Sequence, residues 1–190
     1  MTLTGRHAAL EPLTLDHHDA LCEAASDGAL WNLWYTNIPK PEGMRADIER
    51  KLALQATGDM QPFAVRNLST RKIVGVTTYL NIDTSRHRLE IGATWYALSV
   101  QRTAVNTECK LMLLGHAFGP LQCIAVEFRT SFFNHASRNA IGRLGAKQDG
   151  ILRSHGLHAN GTLRDTVVFS ITADEWPGVK AHLEHRLAPR

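Results

Sequence analysis

"SVQRTAVNTECKLMLLGHAF", residues 99–118, sets a polar stretch without glycine or proline directly before an apolar run of helical spacing. The first amides of a helix have no partner within it, and the helix dipole adds about half a positive charge there. A phosphate-like anion is the natural guest of such a loop. Trp95 is expected to close a strand and Thr107 to begin the helix. Residues 97–106 would then join a strand's carboxyl end to a helix's amino end, with Arg102 adding a formal charge. Capping by Asn106 or Thr107 explains the same residues without any ligand. A second helix start repeats the arrangement: "NHASRNAIGRLGAKQDG" opens at Asn134 just past the strand candidate "IAVEFRTS", with Gly145 as its stop.

The rest of the chain supplies the sheet. "HAALEPLT" reads as a first strand, followed by Asp16 as the cap of a helix to about Ala25. "GALWNLWYT" reads as helical and ends at "NIPKPEG", and "MRADIERKLALQAT" as an amphipathic helix, so three helices precede the main strands. "FAVRN", "KIVGVTTYL" and "RLEIGATWY", separated by polar turns, predict a three-stranded antiparallel meander. Beyond it come a helix over 107–118, the strand "IAVEFRTS", a helix over 134–144, a short "AKQDGILRSH" segment and a strand "RDTVVFSIT". This order predicts an α+β fold, a mixed central sheet with helices on both faces.

At 190 residues the chain suits a single domain, 1–190. No apolar run approaches the roughly 20 residues of a membrane span, and the opening "MTLTGRHAALEPLT" lacks a secretory pattern. A cytoplasmic protein without a membrane partner is expected. The net charge of +3 is dispersed among 21 basic and 18 acidic residues, which argues against a nucleic-acid partner. Cys22, Cys109 and Cys123 are too few and too scattered for a disulfide framework and read as reduced thiols. "DHHD" and "HGLH" lack the spacing of a zinc site, so no metal is expected.

The "QRTAVN" loop, the "NHAS" turn and the "RLGAKQDGILR" segment resemble the GNAT superfamily of N-acetyltransferases, in particular its ribosomal-protein-alanine acetyltransferase-like branch. The resemblance runs from "LEPLTLDHHDAL" to "RDTVVFSITADEWP" and implies the GNAT acyl-CoA N-acyltransferase fold. It implies acetyl-CoA as cosubstrate, with Gln101, Arg102, Thr103, Ala104, Val105, Asn106 and Thr107 forming the diphosphate loop. Ala104 and Asn106 stand where the family pattern has glycines, so a methyl occupies space that glycine leaves open. The resemblance also implies that Val100 pairs its backbone with the pantetheine arm, that Asn134 hydrogen-bonds the arm, and that Ser137 lies near the sulfur. As caps, Asn134 and Ser137 need no ligand.

Transfer to an amine requires a group that takes a proton and a donor aimed at the thioester oxygen. By resemblance, that donor is a backbone amide at a strand bulge, placed around Tyr96 to Val100. By resemblance too, Glu90 in "RLEIGATWY", at an acidic position of that strand, is the candidate base, with a surface pair to Arg88 as the alternative; His87 is a lesser candidate. Ser137 is the candidate near the leaving sulfur. Trp31, Trp34 and Tyr35 either line the amine acceptor's pocket or pack in the core. Arg164 and Asp165 read as an ion pair. The reading leaves open another acyl-CoA, such as succinyl-CoA, a non-catalytic acyl-CoA-binding domain, and a homodimer.

Overall fold

Ile73–Tyr79, seven consecutive residues of one strand, are all buried, so both faces of the sheet are covered at that point. The computed structural model describes residues 1–188. Its strands are β1 (Leu3–Thr4), β2 (Ala8–Pro12), β3 (Met60–Asn67), β4 (Ile73–Asp83), β5 (Arg88–Tyr96), β6 (Ala125–Ser131), β7 (Lys147–Leu157) and β8 (Leu163–Thr172). The helices are α1 (His18–Ser26), α2 (Pro41–Ala56), α3 (Ala104–Phe118), α4 (His135–Gly142) and α5 (Trp176–Leu187). The strands form one sheet in the order β1-β2-β3-β4-β5-β6-β8-β7, antiparallel except at β5 and β6. The fold is α+β.

The β5–β6 junction positions the site. Only Arg88, Leu89 and Glu90 pair, with Ala125, Val126 and Glu127. Beyond Glu90 the two strands diverge, and the edge of β5 that faces β6 is left without a strand partner. Because β5 and β6 are parallel, both end at the same edge of the sheet, where α3 and α4 begin.

The two faces are distinct. Tyr79 donates its hydroxyl to the Leu113 carbonyl of α3 at 2.6 Å, so Thr77, Tyr79 and their β5 neighbours face α3. Leu80, Glu90 and Gly92 lie on the opposite face. α3 is also tied to the chain's beginning: the Glu108 carboxylate accepts the amides of Arg6, His7 and Ala8 at 2.8, 2.6 and 2.8 Å. Gly5 is required beside this clamp, because a Cβ there would stand 2.4 Å from the Glu108 carboxyl carbon.

Several sequence expectations change. "GALWNLWYT" is not an α-helix: Gly28 and Ala29 take positive φ (94° and 46°), and only a short 3-10 turn, Leu30–Asn32, follows. Two α-helices, not three, therefore precede β3. Asp16 caps nothing; Thr14 and His17 form a reciprocal capping box ahead of α1. "AKQDGILRSH" belongs to the long strand β7, and α5 follows β8 unanticipated. α3 starts at Ala104 instead of Thr107, with Thr103 as its cap.

Candidate active site

The loop before α3 is held by its own side chains. Thr103 Oγ1 donates to the Val100 carbonyl at 2.7 Å and accepts the Val105 amide at 3.3 Å. Gln101 turns back and donates from Nε2 to the Tyr96 carbonyl at 3.0 Å. Arg102 takes the left-handed conformation, φ 62°, while Ala104 and Asn106 do not. The conformational freedom of glycine is thus not needed at either replaced position; the turn falls on Arg102. The amides of Arg102 and Thr103 make no backbone hydrogen bond among the described residues, and those of Ala104 and Asn106 belong to the unpaired first turn. Thr107, four residues past the cap, is the first whose amide the helix itself satisfies, so the open amides lie within the expected loop and Thr107 drops out as an amide donor.

Val100 does not offer a strand edge. It ends a 3-10 turn, its amide donates to Ala97 and its carbonyl accepts from Thr103. The free edge is β5 beyond Glu90, which contains the bulge: Val76 pairs with Trp95 but Thr78 with Gly92, so Ala93 and Thr94 stand opposite Thr77 alone. Ala93 has φ 46°, the left-handed conformation that the first residue of one class of bulge adopts. The bulge therefore lies nearer Glu90 than the expected 96–100.

Glu90 is buried, with 6% of its surface exposed, at the last rung before the strands part. Asn81 Nδ2 donates to its Oε2 at 2.8 Å, and Arg129 Nε lies 3.6 Å away. Arg88 is not its partner: it pairs with Glu127 at 2.8 Å. Burial pushes the Glu90 carboxyl above its ordinary value, against the opposing pull of the Asn81 hydrogen bond and the charge of Arg129. Gly92 leaves the room this needs, since a Cβ there would stand 2.8 Å from Glu90 Oε1. Glu90, Asn81, Arg88, Glu127 and Arg129 line a polar cavity of about 230 Å³. His87 is an exposed turn residue with φ 51° and does not line this cavity, although Arg86 and Arg88 do.

At the start of α4, Asn134 is the cap, its Oδ1 accepting the Ser137 amide at 3.0 Å. That bond leaves the Asn134 side-chain Nδ2 and the Ser137 hydroxyl without a partner among the described residues, so capping and ligand contact are compatible here. Trp34 lies close by. Its ring meets Phe133 at 5.4 Å, His158 at 4.8 Å and Tyr35 at 5.6 Å. With Phe133, Asn160, Thr162 and Leu163 it lines an open hollow of about 510 Å³. Trp31 instead packs against the core. Phe133 and Leu163 carry no signal in the sequence; each is an apolar residue beside a turn, and only the exposure of both, 48% and 65%, marks them. Arg164 does not pair with Asp165, which binds Arg153 at 2.7 Å.

Two parallel strands that part, a bulge beside the gap and a loop of open amides make up the candidate site. A model of the acetyltransferase (GNAT) domain matches residues 8–147, and the chain belongs to that family. A GCN5-related N-acetyltransferase from Brucella melitensis is 30% identical, with a TM-score of 0.89 over 100% of this chain and 86% of that one. A structure from T. thermophilus assigned as an acetyltransferase is 32% identical, with a TM-score of 0.86 over 98% and 97% of the two chains. Mycobacterium smegmatis RimJ, solved in complex with CoA-disulfide, shares the fold at 22% identity, with a TM-score of 0.78 over 94% and 88%. Sequence comparison with curated proteins finds no match.

Proposed function

We propose that the protein transfers the acetyl group of acetyl-CoA to a primary amine, of a small molecule or a protein N-terminus, by direct attack. The observation that carries this reading is the parting of β5 from β6 at Glu90, with the bulge at Ala93 and the open amides before α3 on the same side. An acyl-CoA fits such a wedge in one orientation. The diphosphate rests on the amides of Arg102, Thr103, Ala104 and Asn106, the pantetheine arm runs along the free edge of β5, and the thioester reaches the bulge. Asn134 donates from its side-chain amide to the arm.

The reaction then follows from charge. Glu90, with its raised proton affinity, takes a proton from the ammonium directly or through water. The neutral nitrogen attacks the thioester carbon, and the Ala93 amide stabilises the oxygen as it gains charge. The C–N bond forms and the C–S bond breaks; coenzyme A leaves as a thiolate that takes, by way of the Ser137 hydroxyl, the proton the attacking nitrogen sheds, and Glu90 returns its own proton to solvent. Trp34, Tyr35, Phe133 and Leu163 form the apolar wall that receives the body of the acceptor, and Trp31 supports that wall from the core.

Thiol release from acetyl-CoA tests the reading, with peptides bearing free N-termini, polyamines and aminoglycosides as acceptors. Amine-dependent release with acetylated product is the expected result. Coenzyme A binding without release for any amine would instead assign a binding module, and faster release from succinyl-CoA would change the acyl group.

A further inference from the structure

Lys110 is a buried amine to which the reaction above gives no part. It lies on α3, 6% exposed, and its Nζ donates to Thr77 Oγ1 of β4 at 3.2 Å and to Thr94 Oγ1 of β5 at 3.1 Å. The two hydroxyls are 2.8 Å apart, and Thr94 Oγ1 donates onward to the Gly92 carbonyl at 3.2 Å. No carboxylate hydrogen-bonds to Lys110 among the described residues. Burial pulls its amine down to about 8, a desolvation cost that a methionine of similar length would not carry.

The chain of donors ends on one particular peptide group. Gly92 and Ala93 share a planar trans unit, in which the carbonyl and the amide point in opposite directions. Holding the Gly92 carbonyl toward α3 therefore turns the Ala93 amide away from α3. The plane needs holding, because Ala93 sits at φ 46°, a left-handed conformation that is unfavourable for a residue with a side chain.

We propose that Lys110 is a positioning residue for acetyl transfer, which through Thr94 fixes the Gly92–Ala93 peptide plane and aims the Ala93 amide at the thioester oxygen. The inference rests on the reading of that amide as the donor to the thioester. α3 then serves two ends of the same ligand: its first turn faces the diphosphate, and its buried lysine sets the amide at the acyl group.

Isotope-edited infrared spectroscopy of bound acetyl-CoA, labelled with carbon-13 at the carbonyl, reads the amide's aim directly and needs no acceptor. In the wild type and in Thr94→Ser the carbonyl band is expected at lower frequency bound than free. In Thr94→Val and Lys110→Met that shift is expected to fall by more than half, with the Kd for acetyl-CoA within about three-fold of wild type. With an accepting amine, kcat is expected to drop about ten-fold or more in both, and to recover in Lys110→Gln, which keeps an N–H donor. Lys110→Met leaves the two threonine hydroxyls bonded to each other, and its thermal midpoint verifies that it folds. A folded Thr94→Val or Lys110→Met chain with the full band shift and wild-type kcat would overturn the inference. A wild type that binds acetyl-CoA without a band shift would overturn it together with the role of the Ala93 amide, and a wild type that does not bind acetyl-CoA would remove the function itself.

Discussion

Replacing Glu90 with glutamine is expected to lower kcat/KM by about 10²-fold or more while raising stability at neutral pH. The two effects share one cause. Glu90 is buried on the face opposite α3, with a single hydrogen bond from Asn81 and an arginine at 3.6 Å, too little to offset its desolvation. Its folded value lies above its unfolded one. Its contribution to stability is therefore fully present below the unfolded carboxylate range and is lost as pH rises through the folded value. At pH 7 the ionised group is a cost that glutamine removes, while the glutamine carbonyl still accepts from Asn81. Catalysis needs the ionised form, so the wild-type rate should fall as pH drops through a value above the usual carboxylate range, and the variant should lack that limb. Steady-state thiol release and urea unfolding across pH check both halves. An unchanged rate in a folded Glu90→Gln chain would remove Glu90 from the mechanism.

The second large effect is expected far from the acyl group. Glu108→Ala removes the acceptor for the amides of Arg6, His7 and Ala8 and leaves them beside a cavity on the buried side of α3. Charge-assisted bonds to backbone amides are stronger than neutral ones, and unsatisfied buried donors retain their full desolvation cost. A loss of about 2–3 kcal/mol follows, most of it from the buried Ala8 amide, or a midpoint lower by about 6–10 °C for a chain of this size. Glu108→Gln keeps one acceptor oxygen and should fall between. Denaturant unfolding monitored by tryptophan fluorescence gives the values; a loss below about 1 kcal/mol for the alanine variant would contradict the clamp. Because α3 also carries the amide loop, loosening this clamp should weaken coenzyme A binding as well.

These two carboxylates show what a sequence discloses. Glu90 stands out because it matches an acidic position of the family the sequence resembles, yet its partners do not: Arg88 is two residues away in sequence, while Asn81 and Arg129 reach it only across neighbouring strands. Glu108 is inconspicuous, since an acid in an amphipathic helix looks solvated until the first strand folds over it. The loop before α3 and the cap at Asn134 are legible because caps, dipoles and apolar periodicity are local properties. The bulge at Ala93 is not, because a register slip belongs to the pairing of β4 with β5 and leaves no mark in either strand. β7 is hidden for a related reason: nearly every residue of "KQDGILRSHGL" is exposed, so no face is apolar enough to produce an alternation. In α5, the Pro-Gly pair near its start reads as a turn, although proline suits a first helical turn. The aromatic hollow depends on Gly28 and Ala29 breaking the helix that the spacing of Trp31, Trp34 and Tyr35 suggests.

Everything proposed for the site requires coenzyme A to rest its diphosphate on the main chain before α3. Backbone amide NMR during a coenzyme A titration tests this most directly. Saturable binding is expected, with the largest shifts at the amides of Arg102, Thr103, Ala104 and Asn106 and smaller ones along β5 from Ile91 to Tyr96. No binding at millimolar coenzyme A, or shifts that leave those amides unmoved, would contradict it.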